Sequence, residues 1–235
     1  MFKSHLPAIV ALLLTGTTFA QQTGARSNSV DFSVALGGSQ ASFAGAYIHN
    51  WRLGAKQKFE VGIGGRMTAY FGSNQYYSTA PAKITTGGAL FGDPIKANID
   101  SLLIASAQIF SVNVMINLGY RFTEKFTVGF NIDAIGLSFG GENKGTYING
   151  SQVQNAISNP TTFNALLIGD HDRGSLNSEF YGKYRLNDRW SVKAGLQHLF
   201  TEYTTVTKVQ QFPEPNDRFR NKSTLFMIGV SMALK

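Results

Sequence analysis

The sequence predicts an all-β protein: an antiparallel up-and-down transmembrane β-barrel of about eight strands, with short periplasmic turns and long extracellular loops. Three observations predict it. The chain is rich in Phe, Tyr and Gly and poor in charge, with 18 Phe, 9 Tyr, 25 Gly and 15% charged residues, where a soluble chain averages about 25% charged. Apolar and polar residues alternate over runs longer than the ~5–6 residues of an ordinary strand. The links between those runs alternate between short and long. Composition by itself fits a soluble β-sandwich equally well; the alternation and the links decide for the barrel.

Residues 1–20 read as a cleaved signal peptide. Lys3 precedes an apolar core, Leu6–Leu14, too short to span a bilayer, and Thr18 and Ala20 stand before Gln21. Residues 21–28 then form a short periplasmic lead and 29–235 the barrel. The chain has no Cys, which excludes disulfides, thiol chemistry and a lipoprotein signal. No later apolar run reaches the ~18 residues of a transmembrane helix.

The strands follow in order. Residues 30–37, 41–53 and 59–72 give the first three. In 109–122 Phe110, Val112, Val114, Ile116, Leu118, Tyr120 and Phe122 share one face, and the other carries polar or small residues. In 126–139 the alternation changes phase near Ala134–Gly136, where a bulge is expected. The set closes with 176–186, 190–203 and 224–234. The links near 38–40, 54–58, 123–124 and 187–188 are short; those at about 73–103, 141–174 and 205–221 are longer. With both ends of the barrel in the periplasm, every long link falls outside, as in outer-membrane barrels.

Three stretches read alike: WRLGAKQKFEVG (51–62), YRFTEKFTVGF (120–130) and YRLNDRWSVKAG (184–195). They are the expected periplasmic hairpins. Trp51, Phe59, Tyr120, Phe122, Phe126, Tyr184 and Trp190 fall on the lipid-facing lane and make an expected aromatic girdle at one interface. The inward lane carries Asp31, Arg52, Glu60, Arg66, Arg121, Asp133, Glu179, Lys183, Arg185 and Lys193. Eight strands enclose a lumen that side chains fill, so these charges are expected to pair as a plug, centred on Arg66, Glu179 and Asp133. Gly62, Gly64, Gly65, Gly129 and Gly195 are expected to make room for them. The formal charge is +7. Without Lys3 the surplus is six, and nine basic and three acidic residues around the hairpins account for all of it. A basic rim points to anionic headgroups or a periplasmic anionic partner, and not to nucleic acid.

The loops are where recognition is expected. Asp93–Pro94 reads as the start of a short helix over 93–103, and Asn159–Pro160 before FNALLIG as a second. Asn149–Gly150 is a hairpin signal within 141–174. Tyr76, Tyr77 and Tyr147 are candidate exposed contacts. Catalytic chemistry is nearly absent. His5 lies in the signal peptide, and His49 and His198 face lipid. His171 sits in Asp170–His171–Asp172, a weak metal pattern. No Ser–His–acid set converges, GGALFG and FGGENKG lack a phosphate-loop context, and no cofactor is expected.

The alternating strands, Trp51, Tyr120, Tyr184 and Trp190, and the terminal FMIGVSMAL resemble small bacterial outer-membrane barrels of the OmpA membrane-domain, OmpX and OmpW types. FNIDAIGLSFGG and GSLNSEFYGKYRLNDRW resemble barrel proteins of the Bacteroidota. Asp100–Ser101–Leu102 resembles a short bacterial O-glycosylation acceptor. The chain departs from the usual barrel ending, a terminal Phe or Trp, and closes on Leu234–Lys235. The resemblance implies a non-enzymatic protein of the Gram-negative outer membrane, in contact with lipids and with the insertion machinery, that stabilises the envelope or presents loops to a partner. Two other functions stand beside it: a narrow channel or binder for small apolar molecules, with Tyr70, Leu199 and Leu225 lining it, and a lipid-modifying barrel enzyme, for which no clustered His or Ser is found.

Overall fold

The computed structural model describes residues 25–234 except Phe91 and Ser151. The signal peptide, most of the lead and Lys235 lie outside the described residues. Among the described residues no helix is long and apolar enough to cross a membrane. Eleven strands form one sheet: β1 (Arg26–Gly37), β2 (Gln40–Leu53), β3 (Phe59–Thr79), β4 (Ser101–Arg121), β5 (Phe126–Phe139), β6 (Asn143–Asn149), β7 (Gln152–Pro160), β8 (Phe163–Ala165), β9 (Leu176–Arg185), β10 (Trp190–Thr205) and β11 (Arg218–Leu234). Eight of them close a ring. β1 pairs β2, β2 pairs β3, β3 pairs β4, β4 pairs β5, β5 pairs β9, β9 pairs β10, β10 pairs β11, and β11 returns to β1, all antiparallel. Closure leaves this eight-stranded ring without an edge.

The repeated hairpin motif has a chemical reason. In TEKF the Thr123 hydroxyl accepts from the amides of Lys125 (3.2 Å) and Phe126 (2.9 Å). In NDRW the Asn187 amide oxygen accepts from the amides of Arg189 and Trp190, both at 2.9 Å. One short polar side chain thus ties each turn. The third turn, at 54–58, instead places Gly54 and Gln57 at positive φ, +81° and +47°.

The phase change in β5 is a bulge. Met115 pairs Asp133 and Val114 pairs Ile135, which leaves Ala134 unpaired. The carbonyl of Ala134 accepts from the Leu166 amide at 2.8 Å. β5 therefore changes partner there, pairing β9 through Ile132 and β8 from Ile135 onward.

β3 and β4 are longer than the sequence predicts, each 21 residues. Near Asn74, at φ +50°, the inward lane of β3 passes from even to odd positions, and that of β4 changes at Ala105–Ser106. Beyond this line the strands build a second ring. β3 pairs β4, β4 pairs β6, β6 pairs β7, β7 pairs β10, β10 pairs β11, and β11 pairs β3 through Phe219–Thr79 and Arg220–Ser78. The eight-stranded ring is thus capped at its loop end by a ring of six. The hairpin expected at Asn149–Gly150 is β6–β7, with Gly150 at φ +54°.

The two expected loop helices are corrected. Over 93–103 there is only a helical turn at Lys96–Asn98, and β4 begins at Ser101, because its apolar residues Leu102 and Ile104 are needed inside the second ring. The short helix of this loop, α1, is Ala82–Thr85. Asn159–Pro160 ends β7, paired to β10, and FNALLIG supplies β8. Ser101, the resembled glycosylation acceptor, is paired in β4 with Ser78 and Ile148.

Candidate functional site

The lumen of the eight-stranded ring is filled by inward side chains of facing strands. Arg66 from β3 donates through Nε (2.8 Å) and Nη2 (2.6 Å) to Asp133 Oδ1 on β5, and its Nη1 lies 3.5 Å from Glu179 on β9. Lys193 from β10 sits 3.0 Å from both Asp31 on β1 and Glu179. These five groups are all buried. Asparagines complete the shell. Asn113 donates to Asp133 (2.7 Å), Asn131 to Glu179 (2.9 Å), and Asn131 accepts from Arg66 (2.8 Å). Buried charge is tolerated only with this degree of pairing and hydrogen bonding. The sequence reading singled out the charges and not Asn113 and Asn131, although their signal was visible as Asn on the inward lane. Tyr181 spans the lumen below, its hydroxyl donating to Asn117 (2.9 Å) with Lys193 Nζ 4.2 Å from its ring centre.

Glycine placement follows in part. A Cβ at Gly129 would overlap the Tyr181 ring, and one at Gly62 would overlap Asn50. At Gly64 and Gly195 it would meet carbonyl groups of the neighbouring strand, those of Tyr47 and Phe180. Gly65 is corrected: a Cβ there meets nothing within 4 Å, since the residue lies on the outward lane.

Arg52, Glu60, Arg121, Lys183 and Arg185 stand at the turn end rather than in the central network. Arg52 pairs Glu60 at 3.2 Å. With Lys125, Glu124 and Asp188 they line a single cavity of about 110 Å³ that opens at the turns. Around the same end Trp51, Phe59, Tyr120, Phe122, Phe126, Tyr184 and Trp190 all point outward. Phe59 meets Tyr120, and Tyr120 meets Phe122, edge to face with centroids 4.9 Å apart. Phe32, Phe43, Met67, Phe110, Phe226 and Ile228 leave the wall above them apolar and exposed. A wall this apolar has no counterpart on a soluble monomer; the closed ring and the filled lumen make this a small membrane-spanning β-barrel.

The six-stranded ring has a different interior. Tyr77, Leu102, Ile104, Tyr147, Tyr203 and Phe219 form an apolar core continuous with Tyr70, Ile109 and Leu199 below. This corrects two of the three expected exposed tyrosines. Tyr76 is exposed, but Tyr77 (0%) and Tyr147 (3%) are buried. The inversion at Asn74 turns Tyr77 inward, and β6 carries Tyr147 into the ring. The Tyr147 hydroxyl donates to Asp100, which also accepts from Asn149 at 3.3 Å. Burial, with Asp100 beside it, pushes the Tyr147 phenol up to about 12; burial does the same to Tyr203.

A second ion cluster went unread in the sequence. Glu202 accepts from Arg218 Nε (2.8 Å) and Arg220 Nη2 (2.8 Å), and both arginines donate to the carbonyl of Asp172. The Thr161 amide donates to the Glu202 carbonyl at 2.9 Å. The loop over 161–175 is thereby pinned across β10 and β11, burying Glu202 on the outer side of the wall. Alternation alone marks residue 202 as outward and hides this role. In the candidate metal pattern, Asp170 pairs Lys222 at 2.5 Å and the Asp172 carboxylate accepts from the Leu167 amide at 2.6 Å. Beside the free side of β7, residues Tyr147, Gln152, Val209 and Gln211 line an open cleft between the β6–β7 hairpin and the 207–212 segment.

No family model matches the sequence, and no curated protein matches it. Among solved structures, Ail, the attachment invasion locus protein of Yersinia pestis, is similar at 8% identity over 89% of this chain and 97% of its own, with a TM-score of 0.36. Neisserial surface protein A is similar at 10% identity over 88% and 94%, TM-score 0.35. The Pseudomonas putida toluene transporter TodX is similar at 10% identity over 88% of each chain, TM-score 0.24. The barrel class of this chain rests on its own strand pairings and side-chain pattern.

Proposed function

We propose that this chain is an integral outer-membrane barrel with a closed lumen, which displays its six-stranded ring and loops outside the cell as a structural or loop-mediated binding element. The observation that carries the reading is the fill along the axis. A paired ion network occupies the middle of the barrel and an apolar aromatic core sits directly above it. Short turns at one end and the long, structured loops at the other orient the chain with its turns in the periplasm. Lipids would cover the apolar wall, and insertion machinery would deliver the chain to it.

Tyr70, Leu199 and Leu225, proposed as the lining of a passage for small apolar molecules, are each buried to 2% exposure or less against neighbouring core residues, which favours a plug. The chemistry of the lumen favours a non-enzymatic role: its carboxylates are held by Arg66, Lys193, asparagines and the Ser33 hydroxyl, which donates to Glu179 at 3.1 Å. Recognition would fall to the cleft beside β7 and to exposed Tyr76. The test is single-channel conductance of the refolded protein in a planar bilayer, with heat-modifiable gel mobility as the folding control. A folded, silent barrel is expected; steady conductance would transfer the role to a channel.

A further inference from the structure

We propose that the turn-end mouth of the barrel is a binding site for a phosphate-type oxyanion, held among Arg52, Arg121, Lys183 and Arg185. The four side chains lie on the inward lanes of β2, β4 and β9 and line one cavity of about 110 Å³. A single water needs roughly 10–15 Å³ of such space, so the mouth takes an ion of several heavy atoms.

The charge there has the opposite sign to that of the network above. In the central network three carboxylates share two cations, and both Arg66 and Lys193 contact two of those carboxylates. Among the described residues four inward cations at the mouth face Glu60, which Arg52 engages at 3.2 Å, and Asp31 above, whose charge acts on Lys183 as well as Lys193; Arg121 and Arg185 carry the uncompensated surplus. Among the described residues no carboxylate lies within ion-pair distance of Arg121, Lys183 or Arg185. Lys125, Glu124 and Asp188 also border the cavity, from the exposed turns, so the surrounding turns do not cancel the surplus.

Such crowding of like charge costs stability unless an anion completes it. Guanidinium groups offer planar pairs of donors that match a phosphate. Asn50, Thr127, Ser191 and Ser231 add neutral polar groups around the same cavity. The inward placement selects the source. Lipid headgroups lie outside the ring, level with the aromatic girdle, whereas these cations face the mouth. A soluble phosphate compound fits that position better than a headgroup, and the site is independent of what the loop end binds.

The test is calorimetric titration of the full refolded chain, in zwitterionic detergent, with inorganic phosphate and tripolyphosphate. Binding is expected, stronger for tripolyphosphate and weakened by salt. The double substitution Arg121→Gln with Arg185→Gln is expected to lower affinity at least about tenfold, the equivalent of one lost charge-assisted contact, with heat-modifiable mobility unchanged. Lys56→Gln with Lys58→Gln removes the same charge outside the cavity and is expected to leave affinity unchanged. A second arm compares partition into phosphatidylcholine vesicles with and without phosphatidylglycerol. Absence of phosphate binding, equal losses in both double variants, or an effect of Arg121→Gln with Arg185→Gln on phosphatidylglycerol partition alone would each overturn the site. Should that variant fail to fold, Arg185→Gln against Lys58→Gln, one charge each, supplies the same comparison.

Discussion

Arg66 shows what a single inward residue must satisfy in a barrel this narrow. It is buried, and its guanidinium is divided among Asp133, Asn131, Glu179 and the Asn177 carbonyl. Asp133→Ala removes its closest partner and leaves buried charge uncompensated, at a cost of about 3–5 kcal/mol. A matching fall in the urea midpoint of refolded protein in vesicles is expected; an unchanged midpoint would mean the network does not hold the lumen. Gly129→Val sets a side chain into the Tyr181 ring and is expected to reduce the refolded fraction on a heat-modifiable gel. Tyrosines supply a pH test in the capping ring. The Tyr147 and Tyr203 phenols are raised to about 12 in the fold, against about 10 in an unfolded chain. The folded state therefore favours the neutral phenol, so stability is full below about pH 10 and falls as pH rises toward the folded value. Ultraviolet phenolate absorbance should show these two groups ionising well above the ordinary phenol range.

At the scale of elements, the loop over 161–175 is held by charge as well as by the pairing of β8 with β5. Glu202 organises Arg218 and Arg220, and those two hold the Asp172 carbonyl. Glu202→Gln keeps the shape and removes the charge. The expected result is faster proteolytic cleavage within 161–175, while the eight-stranded ring still migrates as folded protein; equal cleavage rates in both proteins would show that β8 alone holds the loop. The same residues explain why this part was hard to read. Glu202 sits on an outward lane, so alternation assigns it to solvent or lipid, and only the returning loop buries it.

For the whole molecule, the two stacked rings separate two tasks. The eight-stranded ring meets the membrane, and the six-stranded ring closes the mouth with Tyr77, Tyr147, Tyr203 and Phe219. Removing residues 142–160, which carry β6 and β7, takes two strands from the upper ring and none from the lower. The shortened chain is expected to insert and show heat-modifiable mobility, because every pairing of the lower ring is retained. Loss of insertion would instead make the upper ring part of the folding core.

The sequence by itself determined the barrel: the alternation of its strands, the turns at 54–58, 123–124 and 187–188 and the bulge near Ala134 are all local, set by a period of two and by short polar turn residues. It also marked Arg66, Asp133 and Glu179 as inward charges. Only the tertiary structure decided which of them meet, because contacts such as Arg66–Asp133 and Lys193–Asp31 join residues far apart in the chain. It likewise decided that the long loops close a second ring. That outcome depends on the lane inversions at Asn74 and Ala105 and on pairings between β3 and β11 and between β7 and β10. No local pattern announces these, since a strand's alternation carries its faces but not its partners.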